Sequence, residues 1–228
     1  MISNWPLLSI IIFLPLTGVL FLLCMSNNNK DLDINIFHRN VKFVTLWTTF
    51  ITFLGSIIIL LNFDNSFSGY QFEEEFKWIK KLNIYYYIGV DGLSLPLILL
   101  TTFLFPVCIL FSWKNIKNKI REYMILFLLL ETLIIGMFSS LDLILFYVFA
   151  ESIFIPIFLI VGIWGGNSRL KALYKMFIFS FITSLLFLYA ITYIYTNFGT
   201  TNLRLLLNID LIPEIQIWLF LAFMAVFA

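Results

Sequence analysis

Two glutamates, Glu131 and Glu151, interrupt long apolar stretches of this sequence, where a carboxyl group can take up, hold and release a proton. Glu151 sits in the middle of Leu141–Trp164, about two dozen mostly apolar residues, enough to cross a bilayer. An acidic side chain at such a depth costs roughly 2.5–3.5 kcal/mol on insertion scales. Residues of this kind are rare, and they face a polar path or a partner. Glu131 lies in the preceding apolar stretch. Two intramembrane carboxylates on neighbouring helices point to proton or cation handling.

The surrounding residues refine that reading. Counted from the turn at Ser139-Ser140, Glu131 and Glu151 lie roughly 13 and 17 Å deep at 1.5 Å per residue. On antiparallel neighbours they fall within about one turn of the same level, near mid-bilayer. Pro156 follows Glu151 in the same stretch; inside a helix it removes an N–H and its ring clashes with the carbonyl of Ser152. Backbone groups freed in this way need protein or water around them, which suits a hydrated pocket beside Glu151. Asp142 follows the turn and is expected to cap the next helix, where free N–H groups and the positive dipole end meet a carboxylate. Lys175 lies about one turn inside the following helix. It reads either as a lysine reaching back to the interface or as a cation that joins a proton relay. Thr101, Thr102, Thr183 and Ser184 could line a path or simply serve helix packing. Glu131 and Glu151 also admit a purely structural role, as protonated, hydrogen-bonded glutamic acids.

The elements that must position these residues are membrane spans. Hydrophobic residues make up 61% of the 228 and charged residues 12%, against roughly 25% charged in soluble domains. A net charge of +1 implies no nucleic-acid partner. Cys24 and Cys108 lie in separate apolar segments without nearby His or acidic ligands, so neither a metal site nor an iron–sulfur site is expected. His38 falls in a stretch read as a polar loop. The predicted spans are 5–25, 41–62, 92–113, 120–138, 141–164 and 171–195, in a single all-α polytopic membrane domain over 1–228. A seventh apolar segment starts near Pro213 and is still apolar at Ala228. Its about sixteen residues fall short of the ~20 that cross a bilayer, so the sequence is expected to belong to a longer chain. The longest loop, 63–90, reads as an amphipathic, aromatic surface segment.

Lys and Arg set the orientation. One side carries Lys30, Arg39, Lys42, Lys114, Lys117, Lys119, Arg121, Arg169, Lys171 and Lys175, which is ten of the fourteen; Lys77, Lys80, Lys81 and Arg204 are the other four. The ten-residue side is expected in the cytoplasm or matrix, with the N-terminus on the periplasmic or intermembrane-space side. Asp64, Glu73, Glu74, Glu75, Asp91, Asp210 and Glu214 all lean to that second side.

Two motifs carry a resemblance. Gly89-Val90-Asp91-Gly92-Leu93-Ser94-Leu95-Pro96 opens the third span and resembles the Asp-Gly-Leu/Ile-Ser element of antiporter-like membrane subunits of respiratory complex I. The run Phe146-Tyr147-Val148-Phe149-Ala150-Glu151, with Ile155-Pro156 and then Gly162-Ile163-Trp164-Gly165-Gly166, resembles the chain M family of bacterial NADH:quinone oxidoreductases and its mitochondrial subunit-four counterparts. That resemblance implies a fourteen-helix fold with inverted repeats. It makes the glutamate at position 151 essential, paired with a lysine on a broken seventh helix, and gives Glu131 and Lys175 supporting parts in the relay. Asp91, Asp142 and Pro156 are then structural residues near the site. Proton transfer would be coupled to quinone reduction elsewhere in the complex. NADH, flavin, iron–sulfur clusters and quinone would belong to other subunits, and this chain would bind no cofactor. Its partners would be the bilayer and chain L- and N-type membrane neighbours, in a bacterial plasma membrane or mitochondrial inner membrane. Ala150 departs from the phenylalanine expected before the key glutamate. Subunits of cation/proton antiporters or membrane-bound hydrogenases share part of these motifs, and a structural membrane scaffold is a third reading.

The charge asymmetry makes a direct prediction. A single cysteine introduced between Lys114 and Arg121 should react with an impermeant thiol reagent only from the cytoplasmic or matrix face. Reaction from the opposite face would reject the whole arrangement of spans.

Overall fold

The structure is a computed structural model that describes residues 6–25, 34–67, 69–80, 83–208 and 213–227. Lys30, Lys81 and Asp210, which entered the charge balance, lie outside these residues, as does the side chain of Glu214. Among the described residues, six helices are long and apolar enough to cross a membrane: α1 (Leu7–Cys24), α2 (Ile34–Asn62), α3 (Ser94–Asn115), α4 (Ile120–Ser139), α5 (Leu143–Trp164) and α6 (Arg169–Phe198). A backbone in hydrocarbon must satisfy its own N–H and C=O groups, so apolar runs of this length become helices. The short α7 (Leu203–Leu206) and the apolar α8 (Pro213–Phe227) follow.

Three expectations change. The second span begins at Ile34, so His38 stands on α2 and not in a loop. The sixth extends from Arg169 to Phe198, where Gly199 at φ 69° supplies the left-handed residue that ends it. The segment read as an amphipathic surface loop folds as a two-stranded hairpin, β1 (Gln71–Ile79) with β2 (Ile84–Val90). Its second strand, Ile-Tyr-Tyr-Tyr-Ile-Gly-Val, is rich in the aromatic and β-branched residues that fit a pleated, half-buried surface. The fold is therefore mostly helical, with one hairpin added.

The chain divides into two compact units, one of residues 1–74 and 89–139, the other of 75–88 and 140–228. In the first, α1 packs on α2 and α4, α3 packs on α2 and α4, and α2 packs on α4. Leu8, Ile12, Ile98, Ile109, Met124 and Leu128 are wholly buried there. At Gly18 a Cβ would stand 2.7 Å from Thr48 Cγ2 and 3.0 Å from Leu128 Cδ1, so only glycine allows this approach of helices. Distant residues close the helix ends. The Glu74 carboxylate accepts the Leu8 N–H at 2.9 Å, the Ser9 N–H at 3.2 Å and the Ser9 hydroxyl at the start of α1. Arg121 Nη2 donates to the Leu23 carbonyl at its end, at 2.8 Å.

In the second unit, α6 packs against α5 and α8 around Leu143, Phe187, Ala190, Ile191, Ile194 and Leu219. Asp142 caps α5: its Oδ1 accepts the N–H groups of Ile144 (2.9 Å) and Leu145 (3.2 Å). Its Oδ2 accepts the Thr201 hydroxyl at 2.7 Å. Backbone bonds from Leu141 to Tyr87 and from Leu143 to Thr201, at 2.8 and 2.9 Å, hold the same corner.

Candidate functional site

A polar stripe runs through the buried core of the first unit. Thr45, Thr49, Thr52 and Ser56 recur along one face of α2 at helical spacing, and all four are fully buried. Glu131 on α4 is equally buried and meets this stripe: the Thr52 hydroxyl lies 2.6 Å from its Oε1. One turn on, the hydroxyls of Ser56 and Thr102 on α3 are 2.7 Å apart. Thr101, on the same helix, turns back to the Leu97 carbonyl.

Thr52 has more acceptors than hydrogens. Its oxygen is 2.6 Å from Glu131 Oε1 and 2.7 Å from the Thr49 carbonyl, and a hydroxyl carries one proton. Facing an ionised Glu131, the hydroxyl donates to the carboxylate. Facing a protonated Glu131, it accepts the acid proton and donates to the Thr49 carbonyl. Thr52 can thus meet Oε1 in either charge state of the glutamate without moving a helix. The second carboxyl oxygen, Oε2, is buried with no hydrogen-bond partner among the described residues. In a low-dielectric interior such an oxygen is costly unless it is filled by a proton or met by water.

In the second unit Glu151 is half-buried on α5, and the Ser184 hydroxyl of α6 interacts with its carboxyl group. Tyr147, one turn earlier on α5, places its hydroxyl 3.1 Å from Ser184 Oγ, and either can be the donor. Here too the glutamate meets a hydroxyl, one that can donate or accept. Pro156 is buried within α5, which runs on to Trp164, and Ser152 bonds back to the Val148 carbonyl at 2.6 Å. Gly165 closes α5; a Cβ there would stand 2.2 Å from the Val161 oxygen. Lys175 is exposed on α6. Thr183 is occupied by the Phe179 and Ser180 carbonyls of its own helix.

The Asp-Gly-Leu-Ser element acts as a helix cap. Asp91 Oδ1 accepts the N–H groups of Ser94 (2.7 Å) and Leu93 (3.2 Å), while Ser94 Oγ accepts the Asp91 N–H at 2.9 Å. Among the described residues no three His, Cys, Asp or Glu come together as a metal group. The α2 stripe is what reading the sequence for charges passed over. Its signal is present in the spacing of Thr45, Thr49, Thr52 and Ser56 within an otherwise apolar span.

Residues 7–138 match the family described as NADH-ubiquinone oxidoreductase chain 4, amino terminus. The chain belongs to that family. Residues 140–228 match a second family, described as NADH:quinone oxidoreductase/Mrp antiporter, TM. The chain is 42% identical over 222 residues to NADH-ubiquinone oxidoreductase chain 4 of Marchantia polymorpha, covering 97% of its own length and 43% of that relative. To NADH-quinone oxidoreductase subunit M of Rickettsia prowazekii it is 41% identical, covering 96% of itself and 45% of the relative. It thus spans less than half the length of these chain 4 and subunit M relatives. Among solved structures it is similar to a chain of respiratory complex I from Thermus thermophilus, at TM-score 0.79 and 26% identity, covering 97% of this chain and 43% of that one. A chain of the Mrp complex from Dietzia shares the fold, at TM-score 0.76 and 13% identity over 96% of this chain and 23% of that one.

Thr52 gives this geometry a test. Thr52→Val keeps the shape and removes the hydroxyl, so Glu131 loses its partner, at a cost of about 1–3 kcal/mol. Thr52→Ser keeps the hydroxyl and should recover most of that loss. Unfolding in detergent measures both, and equal stability of the valine and serine variants would refute the pairing.

Proposed function

We propose that the chain works as a proton-translocating membrane subunit of NADH:quinone oxidoreductase, moving protons across the membrane as quinone is reduced elsewhere in the complex. Family membership supports the assignment. The observation that carries the chemistry is the Thr52 hydroxyl between Glu131 and the Thr49 carbonyl, which can donate to Oε1 of the glutamate or accept a proton from it. A relay group must hold both states at similar free energy; a fixed ion pair would hold only the charged one.

Glu151 is the principal carrier in this reading. It stands mid-span beside the Tyr147–Ser184 hydroxyl pair, and the lysine that the family resemblance implies would supply its counter-charge in the full-length subunit. Glu131 is the supporting acid. Lys175, exposed on α6, joins only if water or a neighbouring segment links it to the carboxyls. Asp91, Asp142 and Pro156 hold the helices that carry them. NADH, flavin, iron–sulfur clusters and quinone are assigned to other subunits. Chain L- and N-type membrane subunits are the expected neighbours, in a bacterial plasma membrane or a mitochondrial inner membrane, with the N-terminus on the periplasmic or intermembrane-space side.

Glutamine replacement separates the two acids, because it keeps volume and hydrogen bonding and removes only the titratable proton. In the full-length subunit, assembled in its complex, Glu151→Gln should abolish most proton pumping and much of the coupled quinone reduction. Glu131→Gln should reduce both by less. Proton uptake by reconstituted vesicles is the readout. Normal pumping by an assembled Glu151→Gln complex would overturn the assignment.

A further inference from the structure

A cationic groove of about 410 Å³ opens in the first unit between the N-terminal turns of α2 and the α3–α4 connection. His38, Arg39 and Lys42 line it from α2, and Lys114 and Lys117 face them from the end of α3 and beyond. No carboxylate is among the described residues that line it. Like charges gathered without counter-ions repel, and an anion relieves that cost. Arg39, Lys114 and Lys117 are exposed. Lys42 is held in place: its Nζ donates to the Trp113 carbonyl and lies 5.7 Å from the centre of the Trp113 ring. His38 Nδ1 is buried without a hydrogen-bond partner among the described residues. Among the described residues, Arg39, Lys114 and Lys117 thus line the groove with no carboxylate there to pair with.

A second groove, of about 370 Å³, lies deeper along the same two helices. Leu46, Phe50 and Phe53 of α2 and Phe103, Val107 and Leu110 of α3 line it. Leu46 is one turn beyond Lys42, and Leu110 is one turn before Lys114, so the apolar channel starts where the cations stop. Phe103, Val107 and Leu110 are each about half exposed.

We propose that these two grooves are one binding site for an anionic phospholipid: the phosphate headgroup sits among Arg39, Lys42, Lys114 and Lys117, and an acyl chain lies along the α2–α3 channel. A free phosphate would use only the first groove. An uncharged apolar occupant would use only the second. Basic pockets between membrane helices suit anionic headgroups, and the apolar channel that continues from this pocket commits the occupant to a lipid.

Native mass spectrometry of the intact chain in neutral detergent tests the proposal, with phosphatidylglycerol, phosphatidylcholine or inorganic phosphate added. Phosphatidylglycerol should be retained at least tenfold more tightly than phosphatidylcholine, given the usual attraction per basic residue near a membrane surface. Combined Arg39→Gln, Lys114→Gln and Lys117→Gln should weaken phosphatidylglycerol roughly a hundredfold. If that variant fails to fold, Arg39→Gln and Lys117→Gln alone should each cost roughly fivefold. Val107→Trp fills the channel and keeps every charge, and it too should release the lipid. Equal retention of the two lipids, charge variants that bind like the parent, or full retention by Val107→Trp would each overturn the proposal. So would inorganic phosphate that displaces phosphatidylglycerol from the parent chain.

Discussion

Hydrocarbon offers no water to a polar group, so every donor and acceptor in a membrane span must find its partner inside the protein. Much of this chain's architecture answers that demand. Most of the hydroxyls along α2 turn back to carbonyls of their own helix, which hides them from lipid. Thr52 does so as well, but it also reaches Glu131. A carboxyl group is thereby carried in an apolar bundle with no ion pair to it among the described residues. That arrangement does not fix the glutamate in its charged form, as an ion pair would.

Helix ends face the same demand, and the segments between spans meet it. Glu74 in the hairpin caps the start of α1, Arg121 covers the Leu23 carbonyl near its end, Asp91 and Ser94 close the start of α3, and Asp142 closes that of α5. Asp142 shows how closely such contacts are packed. Wholly buried, it satisfies two N–H groups and the Thr201 hydroxyl at once. The hairpin and the short helix after α6 thus set the ends of the spans as well as joining them.

Span positions and the two carboxylates could be read from the sequence because both depend on composition over some twenty residues, where a lone charge stands out. The cap at Asp142 was legible because it depends on a local pattern, an acidic residue that follows a turn. The hairpin was harder. Gln71–Ile79 mixes charge with aromatic residues, a pattern that an amphipathic surface segment shares with an edge strand. The Thr52–Glu131 contact was not legible at all, because it joins residues 79 apart and follows from how α2 packs on α4. The same holds for the α2–α3 grooves. Lys42 and Lys114 counted in the sequence only as charges on one side of a membrane, and their convergence belongs to the packing.

The central claim is that the glutamates in the spans change protonation during turnover. Infrared difference spectroscopy of the assembled oxidoreductase, recorded as quinone is reduced, observes that event directly. The account predicts a change in the protonated-carboxyl band, with part of it missing from the Glu151→Gln and Glu131→Gln complexes. Carboxyl spectra identical in the parent and both variants would contradict it.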